Sequence, residues 1–264
     1  MVNDLLVVAG VSLAIAIVAM TATAIIAVRI RRVSVVDVTW GLALTATAVA
    51  CALLGDGWVP WLLAGLVALW GCRLSWHIYR RARGHGEDPR YTDLLGGLSA
   101  DDGRAWFAAA MRKVFVIQGA AVFFVSWPLQ AAAVGSDPVL WLVAVGTAVW
   151  LLGFVFETVG DAQLAAYKRD PDRGPVMDRG LWSWTRHPNY FGDACVWWGI
   201  WLAGAAAYGW LPALVTIPAP LAMTYFLAYA TGARPLERTM MQRPGYPEYA
   251  ARTSMFVPLP PRRG

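Results

Sequence analysis

The chain has 264 residues, of which 58% are hydrophobic and only 15% charged, and it contains 15 Trp. An ordinary soluble domain carries roughly 45–50% apolar and about 25% charged residues, and a core of this size could not bury so much apolar surface. The composition excludes disorder, a coiled coil, a secreted disulfide scaffold and a nucleic-acid-binding arm, although the formal net charge is +5. The sequence therefore predicts an all-α integral membrane protein with no nucleic-acid partner.

Seven apolar runs are long enough to cross a bilayer, which needs about 20 helical residues. Short Gly/Asp/Pro turns and basic loops separate them, and there is no internal repeat. We predict one membrane-embedded domain over residues 1–264, a polytopic bundle of seven transmembrane helices with a cytoplasmic tail over 232–264. The predicted spans are approximately 5–28, 36–54, 58–79, 107–134, 139–164, 191–208 and 210–231.

The distribution of charge predicts the orientation of these spans. All 22 Lys and Arg residues lie in four segments, 29–32, 73–113, 168–186 and from Arg234 onward, which alternate with turns that carry none. Because basic loops stay in the cytoplasm, we expect the N-terminus outside and the C-terminus in the cytoplasm. Most acidic residues and all three His share the cytoplasmic half, which favours a site that opens to the cytoplasm. Alternatively, polar loops simply avoid translocation.

The cysteines give no sign of a disulfide or a metal site. Cys51, Cys72 and Cys195 lie in apolar stretches without CxxC or CxxH spacing. An odd number in this pattern speaks against structural disulfides and against a zinc site. We therefore expect no bound metal.

Polar residues follow one face at the end of the fifth span, GFVFETVGDAQLAAYKRD. Glu157 and Asp161 are four residues apart, and Lys168 returns to the same face seven residues later. Acids inside a membrane helix are costly and usually face a partner or a wet cavity. The stripe either lines a ligand pocket or belongs to an interfacial helix end whose acids pair with neighbouring Arg residues.

The loop DRGLWSWTRHPNYFGDACVWWG leads into the sixth span. Pro188 suits the first turn of a helix, and a helix N-terminus flanked by basic and amide side chains favours an anion. A turn with a helix cap would explain the proline but not the grouping of polar residues around it. These residues are Arg186, His187, Asn189, Tyr190 and Asp193.

The third span ends in RLSWHIYRRARGHGEDPRY, where Arg73, His77 and Arg81 follow each other at four-residue spacing. Guanidinium groups suit phosphates, so the cluster, with Arg80, Arg83 and Arg90 beyond it, would bind a phosphate-bearing cofactor, hold anionic headgroups or only set the topology. His77 is either a site residue or a hydrogen-bonded packing residue. Asp37 in VVDVTWG is either a helix-start charge or a site acid. Candidate lid residues in the tail are Arg234, Glu237, Tyr246 and Tyr249.

From VVDVTWGL through RLSWHIYRR and GEDPRY to TRHPNYFGD and EYAARTSMFVP, the chain resembles bacterial membrane proteins described as steroid 5-alpha-reductase-like. These are relatives of steroid 5-alpha reductases and sterol C14 reductases. The likeness runs over nearly the whole chain. RHPNYFGD alone is less specific, because isoprenylcysteine and phospholipid methyltransferases carry a similar RHPxYxG.

The resemblance implies a seven-helix bundle that holds NADPH at its cytosolic side. Glu157, Asp161 and Lys168 reproduce the family's spacing of a polar residue, an Asp and a basic residue, while Asn189 and Asp193 match an Asn and an acid beside the cofactor. The other expected cofactor contacts are Arg81, Arg90, Tyr91, Arg186, His187, Tyr190, Arg234, Glu237, Tyr246 and Tyr249.

Two departures from the family concern the chemistry. Glu157 stands where the steroid enzymes tend to have Asn, which adds negative charge beside a negative cofactor. The family's carbonyl-binding pair, a Glu on the second helix and a Tyr on the third, has its nearest counterparts in Asp37 and His77. A reductase framework is therefore better supported than a steroid substrate.

The sequence thus predicts an NADPH-dependent reductase of an activated C=C bond in a membrane lipid or steroid-like substrate, in the bacterial cytoplasmic membrane. Hydride would reach the β-carbon while His77, with a protonated Asp37, polarises the carbonyl as catalytic residues. The alternatives are an S-adenosylmethionine-dependent lipid or isoprenoid methyltransferase and a non-catalytic lipid-binding protein. The Arg-rich third loop favours NADPH, because the 2′-phosphate rewards guanidinium contacts.

Overall fold

The computed structural model describes residues 2–260, which form thirteen α-helices and no β-strand. Three 3-10 turns, Ala100–Asp102, Gly180–Ser183 and Ala206–Tyr208, and two π-helical segments, Met111–Phe115 and Phe226–Ala230, lie between them. The α-helices are α1 (Val2–Ile30), α2 (Val36–Leu54), α3 (Val59–Ala82), α4 (Pro89–Leu94), α5 (Arg104–Ala110), α6 (Val116–Val125), α7 (Trp127–Val134), α8 (Leu140–Arg169), α9 (Pro188–Gly204), α10 (Trp210–Thr216), α11 (Pro218–Tyr225), α12 (Ala233–Met240) and α13 (Tyr246–Arg252).

Six helical stretches of the described chain are long and apolar enough to cross a membrane, which confirms the prediction of an all-helical membrane protein. The seventh predicted span, 191–208, coincides with α9, which has 17 residues. A helix of that length is roughly 26 Å long, slightly less than a hydrocarbon core of about 30 Å, so the count of seven stays a prediction. The six stretches are Asn3–Ile30, Val36–Leu54, Val59–Ala82, Arg104–Val134, Leu140–Arg169 and Trp210–Met240.

Two of the predicted spans, at 107–134 and 210–231, coincide with membrane-spanning candidates but are not regular α-helix throughout. The span predicted at 107–134 contains a π-helical segment and breaks at Ser126, where α7 begins with Pro128 in its first turn. The span predicted at 210–231 breaks at Ile217, before Pro218. Proline has no backbone N–H and clashes with the preceding turn, so each helix restarts where a proline fits its first turn.

The chain divides into two compact units. The N-terminal unit runs to Pro138 and includes Tyr208–Pro212, and the C-terminal unit comprises Val139–Ala207 and the chain from Ala213 onward. One domain over residues 1–264 stays a prediction, and Met1 and residues 261–264 lie outside the described part.

In the N-terminal unit, α2 packs closely on α3. Gly41 of α2 and Gly71 of α3 face each other so closely that a Cβ on either would meet the other's carbonyl oxygen. Ser75 Oγ donates to the Val38 carbonyl at 2.7 Å, one turn further along. These contacts place the turn of α3 that carries His77 against the start of α2.

In the C-terminal unit, glycines bring α8 and α9 into backbone contact. Gly146 and Gly153 of α8 lie seven residues apart, as do Gly192 and Gly199 of α9. A Cβ at any of the four would meet backbone atoms of the other helix. Residues three or four positions away on the same faces are therefore held beside each other, and these include the predicted site residues.

Substitution of Gly192 by Ala is expected to lower the free energy of unfolding by about 1–3 kcal/mol, the usual cost of overpacking a tight interface. The new Cβ would meet the Glu157 backbone nitrogen and the Gly153 carbonyl oxygen. Gly10→Ala on α1 is the matched control, since no atom lies within 4 Å of its added Cβ. Denaturant unfolding in detergent micelles measures both variants, and equal stability of the two would contradict the packing described.

The tail predicted over 232–264 is helical in its first half. It forms α12 and α13, and the segment after α13 runs beside residues 184–186. The Leu259 N–H donates to the Trp184 carbonyl at 2.9 Å, and the Arg186 N–H donates to the Ser254 carbonyl at the same distance. The described tail is therefore an ordered part of the C-terminal unit.

Candidate functional site

Buried acids and an amide meet where α8 crosses the start of α9. Glu157 is 3% exposed, Asp161 8% and Asp193 9%. Asn189 Nδ2 donates to Asp161 Oδ1 at 3.1 Å. The other amide atom, Asn189 Oδ1, is buried and accepts no hydrogen bond within residues 2–260. We call Glu157, Asp161, Asn189 and Asp193 the α8–α9 cluster. It contains three buried carboxyl groups and Asn189 Oδ1, which we call the open acceptor.

Local sequence explains this cluster. Pro188 is the first residue of α9 and packs on Gly160 of α8, where a Cβ would meet both Pro188 and the Asn189 backbone nitrogen. Asn189 is therefore held against Asp161, the residue that follows Gly160 in α8. The predicted helix start at Pro188 and the predicted shared face of Glu157 and Asp161 are both observed.

Arg186 is the centre of a second group of contacts. Its Nε and Nη2 donate to the two carboxylate oxygens of Glu237 at 2.6 and 2.8 Å. Its Nη1 donates to the carbonyls of Ala250 and Thr253, both at 2.7 Å. Four hydrogen bonds thus tie the guanidinium to α12 and to the end of α13, so its first role is to hold the tail.

His187 and Tyr246 bind the same carboxylate. His187 Nε2 lies 3.0 Å from Glu237 Oε1, and the Tyr246 hydroxyl donates to that oxygen at 3.3 Å. The His187 ring stacks on Tyr190, with ring centroids 5.4 Å apart. We call Arg186, His187, Glu237 and Tyr246 the Arg186 clamp, and four residues predicted to bind the cofactor thus bind one another.

Of the remaining predicted residues of the C-terminal unit, Tyr249 is connected to the α8–α9 cluster through Trp182. The buried Tyr249 hydroxyl donates to the Trp182 carbonyl at 2.5 Å, and Trp182 Nε1 donates to the Gly160 carbonyl at 3.0 Å. These two hydrogen bonds link α13 to α8 at Gly160, the residue before Asp161. Lys168 and Arg234 are both exposed.

In the N-terminal unit, Asp37 joins two predicted cofactor residues. The Tyr91 hydroxyl donates to Asp37 Oδ1 at 2.5 Å, and Arg90 Nη2 donates to Oδ2 at 3.2 Å. Arg90 also pairs with Asp88 at 2.8 Å. Burial would raise the pKa of Asp88, but the hydrogen bonds from Arg90 outweigh it, and the net pKa is lowered. We call Asp37, Asp88, Arg90 and Tyr91 the Asp37 cluster. In it, Asp37 accepts hydrogen bonds from Tyr91 and Arg90.

Sequence reasoning missed the role of Glu87. Its carboxylate accepts the backbone N–H groups of Val33 at 2.5 Å and Ser34 at 3.0 Å, in the turn before α2. It therefore fixes the segment GEDPRY to the α1–α2 turn and so places Tyr91 beside Asp37. The only signal was the Asp88-Pro89 pair, which is typical of a helix start and does begin α4.

His77 and Arg81 lie on α3, near this cluster in sequence. His77 is half-buried and Arg81 exposed. The positive charge of Arg81 is one of the causes that lower the pKa of Asp88.

Three buried tyrosines predict a loss of stability at alkaline pH. Burial raises the pKa of Tyr91, Tyr246 and Tyr249, and the carboxylates of Asp37 and Glu237 raise it further for Tyr91 and Tyr246. A raised folded pKa contributes stability that is complete below about pH 10 and is lost as the pH rises further. The loss reaches about 1.4 kcal/mol per pH unit for each tyrosine.

Comparison of unfolding free energies at pH 8 and pH 11 tests this prediction. Tyr91→Phe removes one ionisable hydroxyl and should make the alkaline loss smaller than in the unmodified protein. The unmodified protein, measured under the same conditions, is the reference. An identical alkaline loss in the two proteins would show that Tyr91 does not ionise on unfolding.

Comparisons with known proteins give a family but no function. A family model described as "Protein of unknown function (DUF1295)" matches residues 23–253. Searches of the curated proteins and of the solved structures found no match. The matched range contains the α8–α9 cluster, the Arg186 clamp and the Asp37 cluster. Because it spans far more than half of the sequence, the chain belongs to the DUF1295 family.

Proposed function

We propose that the protein is an NADPH-dependent reductase of an activated C=C bond in a membrane-dissolved, steroid-like or other lipid. The observation that carries this proposal is the α8–α9 cluster with its open acceptor, Asn189 Oδ1. A buried polar atom without a partner costs free energy, so a ligand that donates a hydrogen bond there would be favoured.

The residues of the C-terminal unit fit a nicotinamide dinucleotide. Asn189 Oδ1 suits the N–H₂ group of a carboxamide, and buried carboxylates such as Asp161 suit ribose hydroxyls, which donate hydrogen bonds. We assign the phosphates to the exposed cations Lys168 and Arg234, since charge-assisted contacts bind phosphate most strongly. When bound, the cofactor supplies the hydride.

The side chains of the protein bind and orient the cofactor and polarise the carbonyl group of the substrate. The Arg186 clamp positions the start of α9, and with it Asn189, by fixing the tail against residues 184–187. Asp37 already accepts hydrogen bonds from Tyr91 and Arg90, which argues against a protonated Asp37 as the donor. We therefore assign the donor that stabilises the developing enolate oxygen to His77 alone.

The proposal includes the membrane topology. We propose that α9 provides a seventh span and that the N-terminus lies outside and the C-terminus in the cytoplasm of a bacterial cell. All 22 Lys and Arg residues fall in segments on one side of that arrangement, as basic loops do in cytoplasmic membranes. The α8–α9 cluster, close to the basic segment 168–186, would then open toward the cytoplasm.

One observation favours a second function, an S-adenosylmethionine-dependent methyltransferase. Glu157, Asp161 and Asp193 give the cluster three buried carboxyl groups, and the guanidinium of Arg186 is already bound to Glu237. Carboxyl groups are suitable partners for the sulfonium and ammonium groups of such a ligand, whereas they provide no direct contact for a polyphosphate. The absence of phosphate in that ligand also removes the need for further cations.

An isotope experiment separates the two functions. The purified protein is incubated with a membrane lipid extract or a Δ4-3-ketosteroid, together with either 4-deuterated NADPH or methyl-labelled S-adenosylmethionine. The proposal predicts a product that has gained one deuterium and one proton across the C=C bond, detected by mass spectrometry. Transfer of the labelled methyl group with no deuterium transfer would replace the reductase by the methyltransferase. His77→Phe should lose the reduction while keeping NADPH bound.

A further inference from the structure

The last turns of α3 present aromatic and cationic side chains outward. Trp76 is 60% exposed and Tyr79 46%, and their ring centroids lie 5.9 Å apart. Arg80 and Arg83 follow them and are also exposed. Neither guanidinium forms an ion pair in the part of the chain that the structure describes. Other arginines, such as Arg186, are paired with acids.

Three of these residues share one face of the helix, and Arg83 follows directly after its last residue. At 3.6 residues per turn, positions 76, 79 and 80 fall within a sector of about 100°. Arg81 lies outside this sector, about 100° further round the helix than Arg80. The face that carries Trp76, Tyr79 and Arg80 is therefore distinct from the one that carries Arg81.

The kind of side chain on the outward face changes along the helix. On the same side, Leu69 lies two turns before Trp76 and is 54% exposed, and Cys72, one turn before Trp76, is also exposed. The order from aliphatic to aromatic to cationic side chains matches the order of hydrocarbon, interface and headgroup in a bilayer. Since α3 is one of the six membrane-spanning candidates, this face continues directly from the membrane-embedded part of the helix.

We propose that this face of α3 binds the headgroup of an anionic membrane phospholipid. Arg80 and Arg83 hold the phosphate, because guanidinium groups match phosphate oxygens in charge and geometry. Trp76 and Tyr79 pack on the glycerol and the upper acyl chain, at the level where aromatic residues gather in membrane proteins. The site is independent of the proposed reductase activity and would hold a lipid even in a protein without catalysis.

Native mass spectrometry of the full chain in detergent micelles tests this site, with phosphatidylglycerol and phosphatidylcholine as the two probes. Wild-type protein should retain phosphatidylglycerol in preference to phosphatidylcholine. In the double variant Arg80→Gln/Arg83→Gln, the affinity for phosphatidylglycerol should fall about fivefold for each arginine, or about 30-fold in total. All these side chains are exposed, so circular dichroism and the melting temperature should match wild type.

A matched control removes the same charge elsewhere in the N-terminal unit. Arg104 and Arg112 are exposed and form no ion pair within residues 2–260, so Arg104→Gln/Arg112→Gln should keep most of the phosphatidylglycerol affinity. Equal losses in both double variants would overturn the proposal, because binding would then follow net charge and not the α3 face. Equal retention of the two lipids by wild type, or displacement of phosphatidylglycerol by inorganic phosphate, would overturn it as well.

Discussion

Replacement of Arg186 by Ala is expected to lower the free energy of unfolding by about 3–5 kcal/mol, the cost of leaving a buried charge without its partner. The side chain of Glu237 is only 12% exposed, and Arg186 binds both of its oxygens. The same change leaves the carbonyls of Ala250 and Thr253 without their donor at the end of α13. No other single substitution in the C-terminal unit should loosen the tail as much.

Unfolding in detergent micelles, combined with limited proteolysis of the tail, measures this effect. Arg179→Ala is the matched control, because Arg179 is exposed in the same loop. The paired change Arg186→Met/Glu237→Leu should recover much of the lost stability, since it removes both charges and leaves none unpaired. A variant Arg186→Ala that keeps wild-type stability and a protected tail would show that the clamp does not hold the tail.

Substitution of Asp161 by Ala should weaken NADPH binding by about 1.5–3 kcal/mol, or roughly 10- to 150-fold, the range for a hydrogen bond to a charged group. Asp161 orients Asn189 through the 3.1 Å bond to Nδ2, so its loss also frees the amide whose oxygen we assign to the carboxamide. Circular dichroism and the melting temperature of the variant in the same detergent show whether it is folded, so that a loss of binding is not mistaken for a loss of structure.

Asp170→Ala is the control for this prediction, since Asp170 is the exposed residue that ends the same helix. Asn189→Ala should also weaken NADPH binding, and the effects of the two substitutions should add only in part, because Asp161 orients Asn189 through their hydrogen bond. If Asp161→Ala binds NADPH as tightly as Asp170→Ala does, the cofactor does not bind at the α8–α9 cluster.

Local spacing is what the sequence predicts well here. The shared face of Glu157 and Asp161, the helix start at Pro188 and the position of Asp193 four residues after Asn189 all follow from helical periodicity. The glycines that recur after seven residues in α8 and in α9 are also a sequence signal for close helix packing. Such features depend on residues within one or two helices.

Partners that are distant in sequence could not be predicted. Arg186 and Glu237 are 51 residues apart, and Asp37 and Tyr91 are 54 apart. Arg186 was expected to bind an anionic ligand, and any of the carboxylates in the chain could have been its partner. Which one it binds is decided by how the tail packs, and no local pattern records that. The same reason hid the contact of Glu87 with the α1–α2 turn.

Hydropathy alone also could not predict where the helices are interrupted. Apolar runs at 107–134 and 210–231 are continuous in composition, yet both break next to prolines that the sequence displays. Tolerance of proline in membrane helices depends on whether neighbouring groups satisfy the freed carbonyls. In α7, Gln130 Nε2 donates to the Phe123 carbonyl at 3.3 Å, a contact that only the folded structure reveals.

The central claim is that the C-terminal unit binds NADPH at the α8–α9 cluster. Calorimetric titration of the detergent-purified protein with NADPH, NADH and S-adenosylmethionine in parallel tests it most directly. We expect micromolar binding of NADPH, much weaker binding of NADH, and weaker NADPH binding in Asn189→Ala than in the unmodified protein. Binding of S-adenosylmethionine alone would contradict the account and identify the cluster as the site of a methyl donor.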